Sequence, residues 1–449
     1  MNDLLLLIPF IGIFTAVVLS QTALFSHTWE KPWVQATTAI VAILSSIGLV
    51  IAFKDGHEVL MAIQASEWSG VAGIVLKALR ADFSHPLFDG VNILALIVGY
   101  YIPASGIRIK GDIVSTPGLI MRILVIGIIL AAIIGTSGAS ILAATLLASS
   151  IKERKYKFPI IFAFAWTVGN IAGGYSPPAD TPIQLIFRRG VSLEWIVQQA
   201  PLCIALCAAV LFLYWLVDGI IEYGLEPIEQ RHLDVRNYVP WRSDRISLIN
   251  FTLMFVNGAC LMFLPSGGLA EAGMLVVAAV SFFISNPHWQ EEKLDWAPYF
   301  ELAAILSGLL AAAIPVEVLL GARVDMIAEH IHTPMDMFWV MLYSSGYFDN
   351  GPISLIGIEM LRLMKEAGII SGNLVEPLGV PSIWLRAVEW GAVIGGLTTP
   401  IGNFPSLYFL IILRKKLGAN AIPGFLTYTL VSTVVITVLC IIIVPMFLK

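Results

Sequence analysis

GNIAGGYSPPADTP, residues Gly169 to Pro182, follows an apolar run that begins near Phe158 and brings it to an end. In lipid every backbone N–H and C=O has to be paired. A cluster of glycines and three prolines therefore marks a helix broken inside protein or beside water, because no continuous helix survives that composition. The same stretch carries Asn170, Ser176, Asp180 and Thr181, which are polar groups that a lipid-facing helix would not hold.

A second stretch repeats the pattern. GGLTTPIGNFP, Gly395 to Pro405, interrupts another apolar run, and Thr399-Pro400-Ile401-Gly402-Asn403-Phe404-Pro405 matches Ser176-Pro177-Pro178-Ala179-Asp180-Thr181-Pro182 as hydroxyl-Pro-x-x-Asp/Asn-x-Pro. Each copy follows a shorter Ser-Gly break in its own half, GTSGAS at Gly135 to Ser140 and YSSGYFDNGP at Tyr343 to Pro352. GTSGAS lies inside the charge-free run Ile123 to Ile151, long enough to enter the membrane, turn and leave, so a re-entrant hairpin is expected there. Small residues also let membrane helices pack closely, and one such break alone would mean little. Four breaks, paired and bearing Asp and Asn, point instead to an inverted-repeat secondary transporter with its site near the midplane.

The rest of the chain agrees. Only 13% of its 449 residues are charged, against about 25% in soluble proteins. With 58% hydrophobic residues and a mean hydropathy of +0.85, two or three soluble domains are excluded. The expected fold is an all-α polytopic membrane protein with two inverted repeats, re-entrant hairpins and broken helices, in roughly ten to twelve hydrophobic segments. Leu4 to Phe25 lacks a basic leading region and a cleavage site and reads as a retained helix. Residues 1–221 form the N-terminal half, 222–245 a polar linker and 246–449 the C-terminal repeat, with Lys54 to Gly90 and Asn373 to Pro381 as further loops. The short basic loops Lys152 to Lys157 and Arg414 to Lys416 read as cytoplasmic, although Arg188 and Arg189 count against a clean asymmetry. A net charge of -5 without a basic run leaves no footprint for nucleic acid. Cys203, Cys207, Cys260 and Cys440 sit in apolar stretches and suggest neither disulfides nor zinc.

The breaks supply hard oxygen ligands for a dehydrated sodium ion: Thr136, Ser137, Asn170, Ser176, Thr181, Ser345, Asn350, Thr399 and Asn403, with carbonyls freed by unwinding. An isolated carboxylate costs roughly 2.5–3.5 kcal/mol at a helix centre, so Asp180 and Asp349 need a compensating role. Neutralising a bound cation, or exchanging it for a proton, provides one, and competition of this kind is antiport. Helix capping by Asp180 and Asp349 is the bland reading, and it is compatible with ion binding. Glu301 is the next proton-handling residue. Glu317 reads as interfacial, Asp218 and Glu222 as lying in headgroups or water, and Glu389 as an interfacial partner of Arg386. The seven histidines fall in loops or at span ends and make no metal site. No Walker, kinase, GxSxG or HExxH pattern is present, so neither an enzyme nor ATP-driven transport is expected. Cofactors are expected to be none beyond Na+ and H+ as transported or coupling ions, with no transition metal.

At these residues the chain resembles the ion transporter superfamily, and within it the NhaD-type sodium/proton antiporters and the related citrate transporters. The likeness runs through GTSGAS, the Asn170 to Pro182 break, DWAPYFELAAILSGLLAAAIP at Asp295 to Pro315, FDNGP at Phe348 to Pro352 and TPIGNFPS at Thr399 to Ser406. It implies a homodimer in the bacterial inner membrane, a scaffold with an elevator-like transport unit, and an ion site around Ser137, Asn170, Ser176, Asp180, Asp349, Asn350, Thr399 and Asn403. The chain departs from the family pattern at Ala179-Asp180-Thr181-Pro182, where Gly-Asp-Pro-Pro is usual. It departs again at Ser176-Pro177-Pro178, where Thr-Pro-Ile is usual, and at Gly351, where Ala is usual. The Asp is kept while its backbone changes. Sodium(lithium)/proton antiport is the first reading and sodium- or proton-coupled transport of citrate or a dicarboxylate the alternative, and a non-transporting scaffold fits least.

Overall fold

The computed structural model describes residues 3–20, 26–29, 31–65, 68–81, 84–110, 114–229, 231, 242–265, 268–291, 293–294, 296–323 and 329–448. The first half lays down α1 (Ile8–Ser20), α2 (Pro32–Lys54), α3 (Gly56–Gln64), α4 (Trp68–Ala81) and α5 (Ser84–Ser105). It continues with α6 (Pro117–Ser150), α7 (Phe158–Trp166), α8 (Thr181–Arg188) and α9 (Ala200–Tyr214). The second half gives α10 (Arg245–Phe263), α11 (Leu269–Ile284), α12 (Ala297–Ala322), α13 (Pro334–Phe348) and α14 (Asn350–Glu366). After these come α15 (Ser382–Gly395), α16 (Phe404–Leu417) and α17 (Phe425–Ile443). Among the described residues six helical stretches are long and apolar enough to cross a membrane, with four shorter apolar helices beside them. The protein is all-α and polytopic. Among the described residues the only strands are two antiparallel pairs of two residues each, Ile109–Lys110 with Arg242–Ser243 and Leu374–Val375 with Val380–Pro381.

Helix starts follow local chemistry. Thr116 accepts from the Leu119 amide and Pro117 opens α6, while Asp244 accepts from the Ser247 amide at the start of α10. Thr333 and Asp336 cap α13 reciprocally. Two expectations change. The polar stretch from Lys54 is mostly helical, forming α3, α4 and the start of α5. Of the expected linker, residues 230 and 232–241 lie outside the described residues.

Helices α1, α2, α5, α10, α11 and α12 pack as one unit, and α6–α9 with α13–α17 surround the largest apolar core as a second. Each half of the chain contributes to both units. Between them lies a mainly aliphatic and aromatic seam, with Phe10, Ile13, Ile305 and Leu309 against Leu185, Leu355, Phe404 and Leu407.

α6 is two arms. Straight, its 34 residues would run about 51 Å. Instead the Arg154 Nη1 beyond its end donates to the Ser115 carbonyl before its start at 2.9 Å. The chain reverses at Gly135, the one residue with non-helical angles (φ 83°, ψ 149°). α13 and α14 do the same about Asp349 (φ 61°, ψ 146°). Met341 and Gly357, eight residues on either side of it, touch, since a Cβ on Gly357 would lie 2.8 Å from the Met341 Sδ. Both are re-entrant hairpins.

The hairpins open toward opposite ends of the molecule. The run Leu193–Leu225 is one span-length helical stretch. At its start the Trp195 indole donates to the Ser382 hydroxyl at 2.8 Å, beside the loop that closes the second hairpin. At its end Asp218 pairs with Arg154 at the mouth of the first. From Trp195 to Asp218 the helical run covers about 34 Å, so the repeats are inverted. At one end Lys155 to Phe158 line a common groove with Leu417, Asn420 and Ala421, which follow the basic loop Arg414 to Lys416.

Candidate functional site

Each hairpin tip is stitched to the break of its own half, and the stitches repeat residue for residue. The Thr136 amide donates to the Ala179 carbonyl at 2.8 Å, and the Asn350 amide to the Gly402 carbonyl at 3.1 Å. Ser176 Oγ donates to the Ala132 carbonyl at 2.6 Å. Thr399 Oγ1 donates to the Gly346 carbonyl. Ala132 and Gly346 each stand three residues before the turn, and Asp180 and Asn403 each follow the accepting carbonyl. The hydroxyl-Pro-x-x-Asp/Asn-x-Pro motif is thus a device in which the hydroxyl and the fourth residue grip a hairpin tip.

The two tips meet. Asn350, first residue after the second turn, donates from Nδ2 to Asp180 Oδ2 at 3.0 Å. Asp180 is 3% exposed, and its other oxygen accepts from the Thr181 amide at 2.9 Å, which caps the start of α8. Asp349 is 1% exposed, and neither of its oxygens has a hydrogen-bond partner. It lies within electrostatic reach of Asp180 and beside the Asn350 and Gly351 amides and the Phe404 amide at the start of α16. Asp349 does not cap α14 with its side chain, unlike the expectation.

Around this pair, Asn170 and Asn403 flank the crossing of the two breaks. The Asn403 Nδ2 donates to the Gly169 carbonyl at 3.3 Å, and its Oδ1 is unpartnered. Both polar atoms of the Asn170 side chain are buried without partners, beside Gly396, where a Cβ would come within 3.0 Å of Nδ2. Thr136 Oγ1 donates to the Ala179 carbonyl at 2.6 Å. The hydroxyls of Thr136, Ser176 and Thr399 use their protons on backbone carbonyls, so their lone pairs remain free to coordinate a cation. Ser345 instead turns to α15, donating to the Ala392 carbonyl at 2.6 Å. Ser137 is half-buried, one residue past Thr136. The Glu301 and Glu317 positions lie in α12, and their side chains are outside the described residues. Among the described residues no three His, Cys, Asp or Glu form a metal cluster, and carboxylates, amide oxygens, hydroxyls and carbonyls are donors of the hard-oxygen kind.

Two readings of charged residues change. Glu389 does not pair with Arg386, which donates to Gln198 Oε1 at 3.1 Å. Instead it is 1% exposed, with Oε1 accepting from Ser354 Oγ at 2.7 Å and Oε2 unpartnered. Asp218 is buried with Arg154 and with the Tyr214 hydroxyl at 2.9 Å, and Glu226 accepts from the Arg154 Nε at 3.3 Å. His288 is buried too, with Nδ1 2.8 Å from the Gly106 carbonyl and Nε2 2.8 Å from Asp244 Oδ2. Sequence reasoning also passed over Gln184, buried with neither amide atom partnered. The signal for Glu389 was a lone acid within WLRAVEWGAVIGG, directly before the second break.

Comparison with known proteins adds two observations. Residues 1–448 match the family described as "Putative citrate transport". An undecaprenyl-diphosphatase of Sinorhizobium fredii (strain NBRC 101917 / NGR234) is 23% identical over 283 residues, which cover 57% of this chain and 93% of that protein.

Proposed function

The chain belongs to the family described as "Putative citrate transport", and from that premise we propose that this secondary transporter exchanges sodium or lithium for protons at the Asp180–Asp349 pair. One observation carries the reading: two buried carboxylates lie within electrostatic reach of each other, and the Asp349 oxygens have no hydrogen-bond partner. The groups that act on them are each other, amides and Asn350, with no cationic side chain among them. Such a pair holds a cation or protons, and occupancy by one excludes the other.

The inverted repeats supply the alternation. The hairpin mouths open to opposite ends while their tips share one site, so moving the α6–α9/α13–α17 unit along the aliphatic seam carries the site from one face to the other. The seam itself is nonpolar, and the Arg188–Glu271 ion pair, which joins the two units, has to break for that sliding. The groove lined by Lys155 to Phe158 with Leu417, Asn420 and Ala421 adjoins the basic loops and faces the cytoplasm in this reading. The protein then sits as a homodimer in a bacterial inner membrane and works as a transporter, not an enzyme. The activity in the diphosphatase's name is said of that protein alone.

The family's description favours a second reading, coupled transport of citrate or a dicarboxylate. The starts of α8, α14 and α16 converge on the site, and helix N-termini attract carboxylates. Asp180 and Asp349 would then hold the coupling ion.

The test is pH-sensitive dye fluorescence in proteoliposomes, for wild type, Asp180→Asn and Asp349→Asn, on adding sodium, lithium, potassium or citrate. Sodium- or lithium-driven proton movement that either substitution abolishes supports antiport. A response to citrate alone transfers the assignment to the anion carrier.

A further inference from the structure

α8 and α14 both start at the site and run side by side. Thr181 touches Gly351 at one end, and Gly190, just past α8, touches Pro377 in the loop after α14 at the other. Residues four apart share a helix face, so the face of α8 that carries Asp180 carries Gln184 one turn on and Arg188 two turns on. Along α14, Asn350 is followed one turn later by Ser354. The bonded pair Asp180–Asn350 is therefore succeeded by a second polar layer, Gln184 and Ser354, and Ser354 holds Glu389 of α15 at 2.7 Å. The stripe ends where the Arg188 Nη1 meets Glu271 Oε1 of α11 at 2.8 Å.

That second layer is not packed as a structural hydrogen-bond network. Glu389 Oε2, Gln184 Nε2 and Gln184 Oε1 are all buried and all unpartnered. A lone buried carboxylate is costly without a counter-charge or a proton, and buried polar atoms left unpaired cost about 1–3 kcal/mol each. Purely structural positions of this kind are ordinarily apolar. Glu389 lies within electrostatic reach of both Asp180 and Arg189.

We infer that Glu389 is a proton-carrying residue on the path between the Asp180–Asp349 site and the membrane face at Gly190 and Pro377. It rests on the antiport reading above. The proton resides on Oε2, with Oε1 held by the Ser354 hydroxyl, and it leaves Glu389 as a carboxylate within electrostatic reach of Arg189.

The experiment compares wild type, Glu389→Gln, Glu389→Asp and Ser354→Ala in proteoliposomes, reading sodium-driven proton movement across pH together with the sodium concentration giving half-maximal response. Glu389→Gln is expected to slow proton movement about tenfold or more, as for loss of a positioned proton-transfer group, while the half-maximal sodium concentration stays within about twofold, since the residue does not touch the cation. Glu389→Asp is expected to restore movement with a displaced pH profile. An unchanged rate and pH profile in Glu389→Gln, with an active wild type, overturns the inference and leaves the antiport reading standing. A wild type that moves no protons with any cation overturns both. Should Glu389→Gln fail to reach the membrane, Ser354→Ala decides, because it keeps the carboxylate and removes its one hydrogen bond. A displaced pH profile supports the role, and an unchanged one overturns it.

Discussion

The Asn350 Nδ2 donates to Asp180 Oδ2 at 3.0 Å across 170 residues of chain. Through this bond the tip of the second hairpin touches the break of the first half, so the site is completed by both repeats. Neither repeat alone brings Asp180 and Asp349 together. Asn350→Ala would free one Asp180 oxygen and leave it without its orienting donor. A hydrogen bond to a charged group contributes about 1.5–3 kcal/mol, so apparent cation affinity should weaken about tenfold or more. Half-maximal sodium in the dye assay checks this, and an unchanged value would detach the Asn350–Asp180 bond from ion binding.

Asp349 takes the position that Gly135 takes in the first half, with φ 61° and ψ 146°. That region is essentially reserved for glycine and costs about 1–3 kcal/mol for other residues. Asp349→Gly would relieve this strain, while the added freedom of the unfolded chain takes back about 0.4–1 kcal/mol. The variant should melt in detergent at or above the wild-type temperature and transport nothing. A clearly lower melting temperature would show that the carboxylate supports the fold, which its unpartnered oxygens argue against.

Arg154 closes the mouth of the first hairpin, reaching Ser115, Asp218 and Glu226 from a site 3% exposed. Arg154→Met would strand two buried carboxylates, and breaking a buried ion pair from one side costs about 3–5 kcal/mol. We expect a large drop in folded yield and melting temperature. Asp218→Leu added to Arg154→Met should recover part of it, as one uncompensated charge is then removed. Equal melting temperatures for the single and double variants would argue against the buried network.

Asp244 stands at the start of α10 in the first unit. Burial alone would raise its carboxyl, but hydrogen bonds from Ser247 and the contact with His288 outweigh this and hold it below the usual carboxylate range. A depressed value means the contribution is fully present above the ordinary pKa of about 3.9 and disappears as pH falls through the lower, folded-state value. Asp244→Ala should therefore melt below wild type at neutral pH, with the two curves converging as the medium is acidified below about pH 4. Parallel curves across that range would exclude Asp244 as the titrating group.

Much of this was legible in the sequence, because lipid is an unforgiving solvent. Backbone groups must be paired there, so the Gly/Pro clusters at Gly169 to Pro182 and Gly395 to Pro405 could only be breaks, and their shared spacing exposed the repeat. Asp180, Asp349 and Asn350 stood out for the same reason. Glu389 and Asp218 read differently in the sequence because each stands near a span end or beside an opposite charge. Local context cannot tell a headgroup position from a buried partner supplied from far along the chain. Arg154 lies 64 residues from Asp218, and Ser354 lies 35 from Glu389.

The sequence by itself determined the class, the number of repeats and the places where helices fail, since hydropathy and the need to pair backbone groups act on contiguous residues. Only the tertiary structure decided which broken ends meet, that the hairpins open to opposite faces, and that Asn350 reaches Asp180 while Asp349 stays unpartnered. Those outcomes depend on packing between helices far apart in the chain, where a displacement of one turn would exchange every contact without altering any local signal.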